Sequence, residues 1–469
     1  MIKRTCVGWA AILAFSTGAG GQAPAPGLET FRDTYRELIE INTTLSAGDC
    51  TAAARAMAKR LTDAGLPAGD VQVIVPPEFP KQGNLVAVLK GSDPKRPPIL
   101  LLAHIDVVEA NRADWQRDPF KLVEENGYFY ARGASDDKAM AAAFVDNLVR
   151  YRKEGFRPKR DIKLALTCGE ETDTVFNGVR YLLQHHRPLI DAAFALNEGG
   201  RALLDEQGNR VTLGIQVGEK IYQDFALETT SPGGHSARPG DDNAITRLAN
   251  GLVRLGPFKF PIAIGAVTQA YFAQTAKLTE GALGADLQAA SQANPDAAAV
   301  ARVAAANPVW NAMMRTTCVA TQVNAGHAPN ALPQRAHANV NCRILPGQTV
   351  QDVRSTLVKV LADDTIQVTL AGDEGLAAPA PPLTAEILEP ARKVAAKLWP
   401  GVPLVPSLST GATDGRFLNA AGLPTYGLTG MFMDPDGGGV HGLNERIRVR
   451  SLYEGRDFLY SVVKAYAAK

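Results

Sequence analysis

The chain lacks an excess of charge of either sign. Its 469 residues carry 49 Lys plus Arg against 48 Asp plus Glu, with no long block of one sign. This excludes a nucleic-acid groove or a surface built for acidic membranes. Internal repeats and low-complexity linkers are also absent, which excludes a solenoid. Long apolar runs are missing too. The stretch Cys6 to Phe15 is too short to cross a bilayer, so no membrane span is expected in the mature protein. With Lys3 and Arg4 ahead of it and small residues Ser16 to Gly21 behind it, it has the layout of a secretory signal peptide. Residues 1–25 are therefore expected to be removed, giving a periplasmic or secreted protein. Cysteine is scarce: of five, export leaves Cys50, Cys168, Cys318 and Cys342 in an oxidising compartment. Cys318 and Cys342 are equidistant from Asn330, in a turn-like segment between two strand-like stretches, and a disulfide is expected there. Cys168 is read as an inert buried thiol, and Cys50 receives no role.

What the chain does have is apolar sequence in short pieces. Hydrophobic residues make up 46% of it, enough for a sizeable core in two or three domains. His104 and Asp106 follow the run Ile99 to Leu102, Glu170 and Glu171 follow Ile162 to Thr167, and Glu198 follows Ala192 to Leu196. Runs of this kind read as buried parallel strands, and ligands gather at the carboxyl ends of such strands. Asp136 and Asp137 precede an Ala-rich helical stretch, Ala139 to Tyr151, whose N-terminus favours negative side chains. His441 completes the set. Carboxylates mixed with imidazole suit zinc and its neighbours better than calcium or a thiolate-bound metal.

The stretches LLAHIDVV, ARGASDDKA, TCGEET, ALNEGG, SPGGHSARP, APNALP and GGGVHGLNE resemble those of the dinuclear zinc exopeptidases that include carboxypeptidase G, carboxypeptidase S, aminoacylase and succinyl-diaminopimelate desuccinylase. The resemblance runs from about Phe31 to the C-terminus. It implies an α/β catalytic domain with a mostly parallel central sheet flanked by helices, plus an inserted α+β lid or dimerisation domain. The divisions expected are residues 27–220 and 373–469 for the catalytic domain and 221–372 for the lid. Within the lid, the extra Ala-rich stretch Tyr271 to Arg315, interrupted at Pro295 and Pro308, is expected to pack on the surface rather than cap the cleft.

By the same resemblance His104, Asp136 and Glu198 would hold one Zn²⁺, and Asp136, Glu171 and His441 the other; Co²⁺ or Mn²⁺ could replace either. A bridging carboxylate suits two cations about 3.5 Å apart, which repel unless anionic ligands are shared. Glu170 would be the general acid/base. Asp106 would take the second ring proton of His104 and fix its tautomer. In the lid, Asn330 and Arg343 would clamp a free carboxylate, His235 would donate to the scissile carbonyl oxygen, and Gly411 would approach substrate through its backbone. Asp414 is read as a helix cap. Trp115 and Asp118 to Phe120 are read as structural, as are His185, His186, His327 and His337.

The expected activity is hydrolysis of an amide bond next to a free carboxylate, by a metallocarboxypeptidase or dipeptidase. An N-acyl-amino-acid amidohydrolase on the same machinery is the alternative, ahead of an aminopeptidase or a non-catalytic binding protein. The expected partners are a small peptide or N-acyl amino acid and a second copy of the chain paired through the lid.

Overall fold

The computed structural model describes residues 27–172 and 175–468. The expected signal peptide lies outside the described residues. Among the described residues, no helix is long and apolar enough to cross a membrane.

The apolar runs do become buried strands. Ile99–His104 and Ile162–Thr167 are buried at every position. They pair in parallel with His104 opposite Thr167, so both chains leave the sheet at the same level. Phe194–Asn197 runs parallel on the other side of Ile99–His104, and Thr425–Gly427 runs parallel beyond it, with Gly427 opposite Asn197. Burial on both faces is why these runs show no polar alternation. Antiparallel strands Asn84–Leu89 and Val71–Ile74 extend one side, and Arg210–Glu219, Ala202–Leu204 and Phe432–Met433 the other. Leu404–Ser409 lies parallel alongside Arg210–Glu219. The ten-stranded sheet is thus mixed, with its parallel part at the centre.

Helices cover both faces. Leu28–Glu40, Lys138–Lys153 and Val449–Ala467 pack on one side, around Phe31, Met140, Phe144, Leu148, Phe458 and Val462. The helices Gly178–His185 and Gly415–Ala420 cover the other, around Val179, Leu182 and Phe417. Lys138–Lys153 is buried almost all round because its first turns are nearly all Ala, which allows close approach to the sheet.

A second, four-stranded antiparallel sheet is built from Thr317–Ala325, Arg335–Ile344, Ile221–Thr230 and Gln367–Ala371, in that spatial order. Two helices, Ala244–Leu255 and Val350–Leu361, cover one face around Phe225, Leu248, Val340 and Leu357. Side chains of Asn243 and Thr349 cap their N-termini. The Ala-rich stretch forms four short helices between Ala266 and Met314, with a small core of Phe272, Leu287, Val300 and Val303. The first of them, Ala266–Ala276, lies against Leu404–Ser409. Met313, near the end of the stretch, packs with Leu345 and Leu408.

Cys318 and Cys342 stand directly opposite each other in the ladder and are joined, as expected. The reading of Cys168 as a free, inert thiol is overturned. It is bonded to Cys50, 118 residues earlier. The partner escapes a local reading because it starts the helix Cys50–Asp63, which the fold folds back over the end of Ile162–Thr167.

Candidate metal centre

The ends of the central strands bring the carboxylates and histidines together. His104 Nε2 is 3.1 Å from Asp136 Oδ1 and 3.9 Å from Glu198 Oε1. His441 Nε2 is 3.2 Å from Asp136 Oδ2 and 2.9 Å from Glu171 Oε1. The two oxygens of Asp136 therefore face different histidines, each with its own glutamate. Ligand atoms of His104, Asp136 and Glu171 lie within 4.8 Å of one another, as do those of His104, Glu170 and Glu198.

The local backbone explains how adjacent residues 170 and 171 both reach the cluster. Gly169 turns the chain with φ 91°, and a Cβ there would run into the Phe176 carbonyl, so only glycine fits. The amides of Glu170 and Glu171 then donate to the two oxygens of Asp106, at 3.3 and 3.1 Å. This corrects one expectation. His104 Nδ1 donates to the Asp106 backbone carbonyl at 3.0 Å, while the Asp106 carboxylate is 3.6 Å away. Its lone pairs go instead to the two amides of the turn, which would otherwise be buried without acceptors.

The electrostatics are those of a site short of positive charge. Burial pushes Glu170, Glu198 and Asp137 well above the ordinary carboxylate range, and neighbouring carboxylates add to it. Burial pushes Asp136 up as well, but hydrogen bonds from His104 and His441 outweigh it and hold Asp136 low. His441 is driven up to about 10, chiefly by Asp136 and then by Glu171. In His104, burial acts downward and is overcome by Asp106 and Asp136. Divalent cations would remove the conflict by letting the carboxylates ionise and the imidazoles stay neutral. Two donor sets of N and O atoms sharing one carboxylate fit a pair of zinc-like ions.

Several supporting residues were not legible in the sequence. Glu445, four residues after His441, accepts from the amides of Gly133, Ser135 and Asp136 at 3.0, 2.8 and 3.1 Å. Its buried partner Arg132 donates to it at 2.9 Å and to the Gly442 carbonyl at 2.9 Å. The pair locks the Asp136 loop to the His441 loop. Lys138 Nζ reaches the Ile41 carbonyl at 2.8 Å, and burial brings its pKa down to about 7. Asp414 occupies the N-cap position of Gly415–Ala420, but its side chain makes no cap bond, against expectation. It accepts from Asn177 Nδ2 at 2.6 Å and Thr167 Oγ1 at 3.2 Å, because buried donors at the strand end compete with the exposed-type cap. Spacing gives no signal for contacts spanning 237 or 310 positions.

The remaining residues are placed by the second sheet and by the loop after Leu404–Ser409. His235 and Asn330 sit together, where the two-residue strand Gly234–His235 pairs with Ala331–Leu332. His235 Nδ1 accepts from the Ala237 amide at 3.1 Å, so its proton is on Nε2. Arg343 is near the other end of Arg335–Ile344, opposite Tyr222, whose ring lies 4.5 Å from its guanidinium carbon. At about 3.4 Å per residue, the eight steps from Arg335 to Arg343 span roughly 27 Å. Asn330 and Arg343 of one chain therefore do not converge on one ligand, contrary to expectation: the strand between them is fully extended. The Gly411 amide donates to Ser409 Oγ at 3.1 Å.

Comparison with known proteins gives these sites a context. The model of peptidase family M20/M25/M40 matches residues 100–465. Human N-fatty-acyl-amino acid synthase/hydrolase PM20D1 is 31% identical over 385 residues, covering 80% of this chain and 75% of that one. The probable carboxypeptidase S-like 2 of Dictyostelium discoideum is 26% identical over 391 residues, with 81% and 74% covered. Among solved structures, the M20 family metallo-carboxypeptidase Sso-CP2 from Sulfolobus solfataricus superposes with a TM-score of 0.69 at 19% identity, covering 94% of this chain and 99% of the other. A family match over most of the chain, together with the shared fold, makes this protein an enzyme of the M20/M25/M40 metallopeptidase and amidohydrolase family.

Proposed function

We propose that the protein is an exported dinuclear zinc hydrolase that cleaves an amide bond adjacent to a free carboxylate. The observation that carries the reading is the shared carboxylate of Asp136, with one oxygen toward His104 and the other toward His441. His104, Asp136 and Glu198 would hold one ion, and Asp136, Glu171 and His441 the other. Bound zinc would supply Lewis acidity toward the scissile carbonyl and toward water. Glu170 would take the proton of the attacking water and return it to the leaving nitrogen. Its raised pKa suits a group that must hold a proton part of the time.

Arg343 would bind the substrate carboxylate with its planar fork. His235, with its proton on Nε2, would donate to the carbonyl oxygen as charge develops there. Because His235 and Asn330 stand at the far end of the strand from Arg343, a second copy of the chain would bring them to the site. Support comes from the edge strand Thr317–Ala325, exposed along most of its length, with Val319 and Val323 each 60% accessible. An edge of this length invites pairing with another chain. Two disulfides support export, since such bonds persist in oxidising compartments.

Peptides ending in a free carboxylate are the first substrate class. N-acyl amino acids are the second, favoured by the similarity to PM20D1, and they present the same amide and carboxylate. A panel of free dipeptides, C-terminally amidated peptides and N-acyl amino acids separates these. Arg343→Ala is expected to cut kcat/KM on free acids by roughly ten- to a hundredfold, the loss typical of a charge-assisted contact, and to leave amidated substrates nearly unaffected. Equal losses on both would make Arg343 structural. Chelation is expected to abolish turnover and zinc to restore it; an active preparation with no transition metal would end the metallohydrolase reading.

A further inference from the structure

Outside the proposed chemistry, the most conspicuous buried group beside the metal centre is Glu219. It ends the strand Arg210–Glu219, and after the single residue Lys220 the chain enters Ile221–Thr230 of the second sheet. The side chain is buried, yet among the described residues Oε1 has no hydrogen-bond partner. Oε2 accepts from Gln216 Nε2 at 3.3 Å, and Thr413 is close enough for its hydroxyl and backbone N–H to draw the Glu219 pKa down against the burial. A small polar chamber lies here, lined by Asn197, Glu198, Gln216, Glu219, Thr413 and Asn419. Its lining and size suit a single buried water.

Thr413 is the point where this side chain gains leverage. Its Oγ1 accepts from Asn197 Nδ2 at 3.2 Å and from the Gly415 amide at 3.0 Å. The hydroxyl proton is left for Glu219. Asn197 immediately precedes Glu198. Ser409 is opposite Glu219 in the ladder, and its carbonyl accepts from the Lys220 amide at 3.0 Å. The segment from Ser409 to Thr413 is thus held at its start by the Lys220 amide, and at its end Thr413 faces the same chamber as the Glu219 side chain.

We propose that Glu219 is a positioning residue, which acts through Thr413 and the adjoining polar chamber to fix the Ser409–Thr413 loop against the strand end that carries Glu198. The inference rests on the reading of Glu198 and this loop as parts of the substrate site. Without the carboxyl, the chamber that Thr413 lines loses its acidic wall, and the loop is free to shift. Burial pushes Glu219 up to about 8, so at neutral pH it is mostly the uncharged acid and an amide is a close stand-in.

The test compares Glu219→Ala, Glu219→Gln, Thr413→Val and the Glu219→Ala/Thr413→Val double variant in the zinc-loaded full chain. Two readouts are used: hydrogen exchange by peptide mass analysis, and kinetics on a free-carboxylate substrate that the wild type cleaves. Glu219→Ala is expected to raise exchange across residues 409–415, leave 99–104 unchanged, retain wild-type metal content, and lower kcat/KM about tenfold to a hundredfold. Glu219→Gln should stay within about threefold of wild type, and the double variant should be no worse than the more damaged single one. Wild-type exchange across 409–415 together with kcat/KM within about twofold in Glu219→Ala would overturn the proposal, as would additive losses in the double variant. Should Glu219→Ala not fold, Thr413→Val carries the same expectation and the same refutation. The exchange arm needs no substrate, so its outcome stands apart from any failure of the substrate panel.

Discussion

Glu170→Gln is expected to remove turnover by about 10² to 10⁴-fold, the range associated with loss of a positioned proton-transfer group, without changing metal content or fold. Two observations set this expectation. The Glu170 amide is held by Asp106 Oδ1, so the turn that aims the side chain does not depend on the carboxyl being replaced. The carboxyl itself joins His104 and Glu198 within one ligand-sized cluster, which puts it beside the place where water would be activated. The amide of Gln preserves shape and hydrogen bonding but cannot accept and return a proton. Glu171→Gln should behave differently. With Oε1 2.9 Å from His441, Glu171 belongs to the proposed ligand set, and its loss should appear first as a metal deficit. Kinetics run alongside metal analysis separates the two. Wild-type rates in Glu170→Gln would rule it out as the base.

Replacing both Cys50 and Cys168 by Ala is expected to cost about 5 kcal/mol of stability in the chain-entropy picture, because the bond spans 118 residues. Denaturant unfolding of the variant against the oxidised wild type measures it. Cys168 precedes Gly169 and the Glu170–Glu171 pair directly, so the bond also anchors the turn that aims both carboxylates. A lowered kcat in the fraction that remains folded is therefore expected as well. A stability loss below about 1 kcal/mol would mean that the unfolded chain is already restricted by other means.

The parts of the fold carried by local pattern were legible in the sequence. Ile162 to Thr167 reads as a buried strand because four of its six positions are apolar, and the polar residues that follow it mark where the strand leaves the sheet. His104, Glu170, Glu171 and Glu198 could be picked out on that basis. The pairing of Cys318 with Cys342 followed from symmetry about a turn. What escaped depends on packing between distant segments. Glu445 resembles any other acid in a Gly-rich loop until the Asp136 loop is folded against it. Cys50 sits at the start of a helix with nothing nearby to hint at Cys168. Asp414 does stand at a helix start, but the buried donors of Thr167 and Asn177 outbid the local amides. The clamp failed within one chain for a related reason: a separation of thirteen between Asn330 and Arg343 suggested convergence, whereas most of that stretch belongs to the extended strand Arg335–Ile344.

The clasp between Arg132, Glu445 and the amides around Asp136 has a consequence for the order in which the chain can complete its fold. The Asp136 loop can be folded early, with the strands that surround it, yet the acceptor that fixes it arrives more than 300 residues later. His441 arrives with it. A chain in which residues 441–445 are not yet in place can have most of its central sheet and still lack both His441 and the carboxylate that fixes the Asp136 loop. On the proposed ligand sets, filling of the second metal position would thereby depend on the last part of the chain, and a chain cut short before it would keep His104, Asp136 and Glu198 without His441.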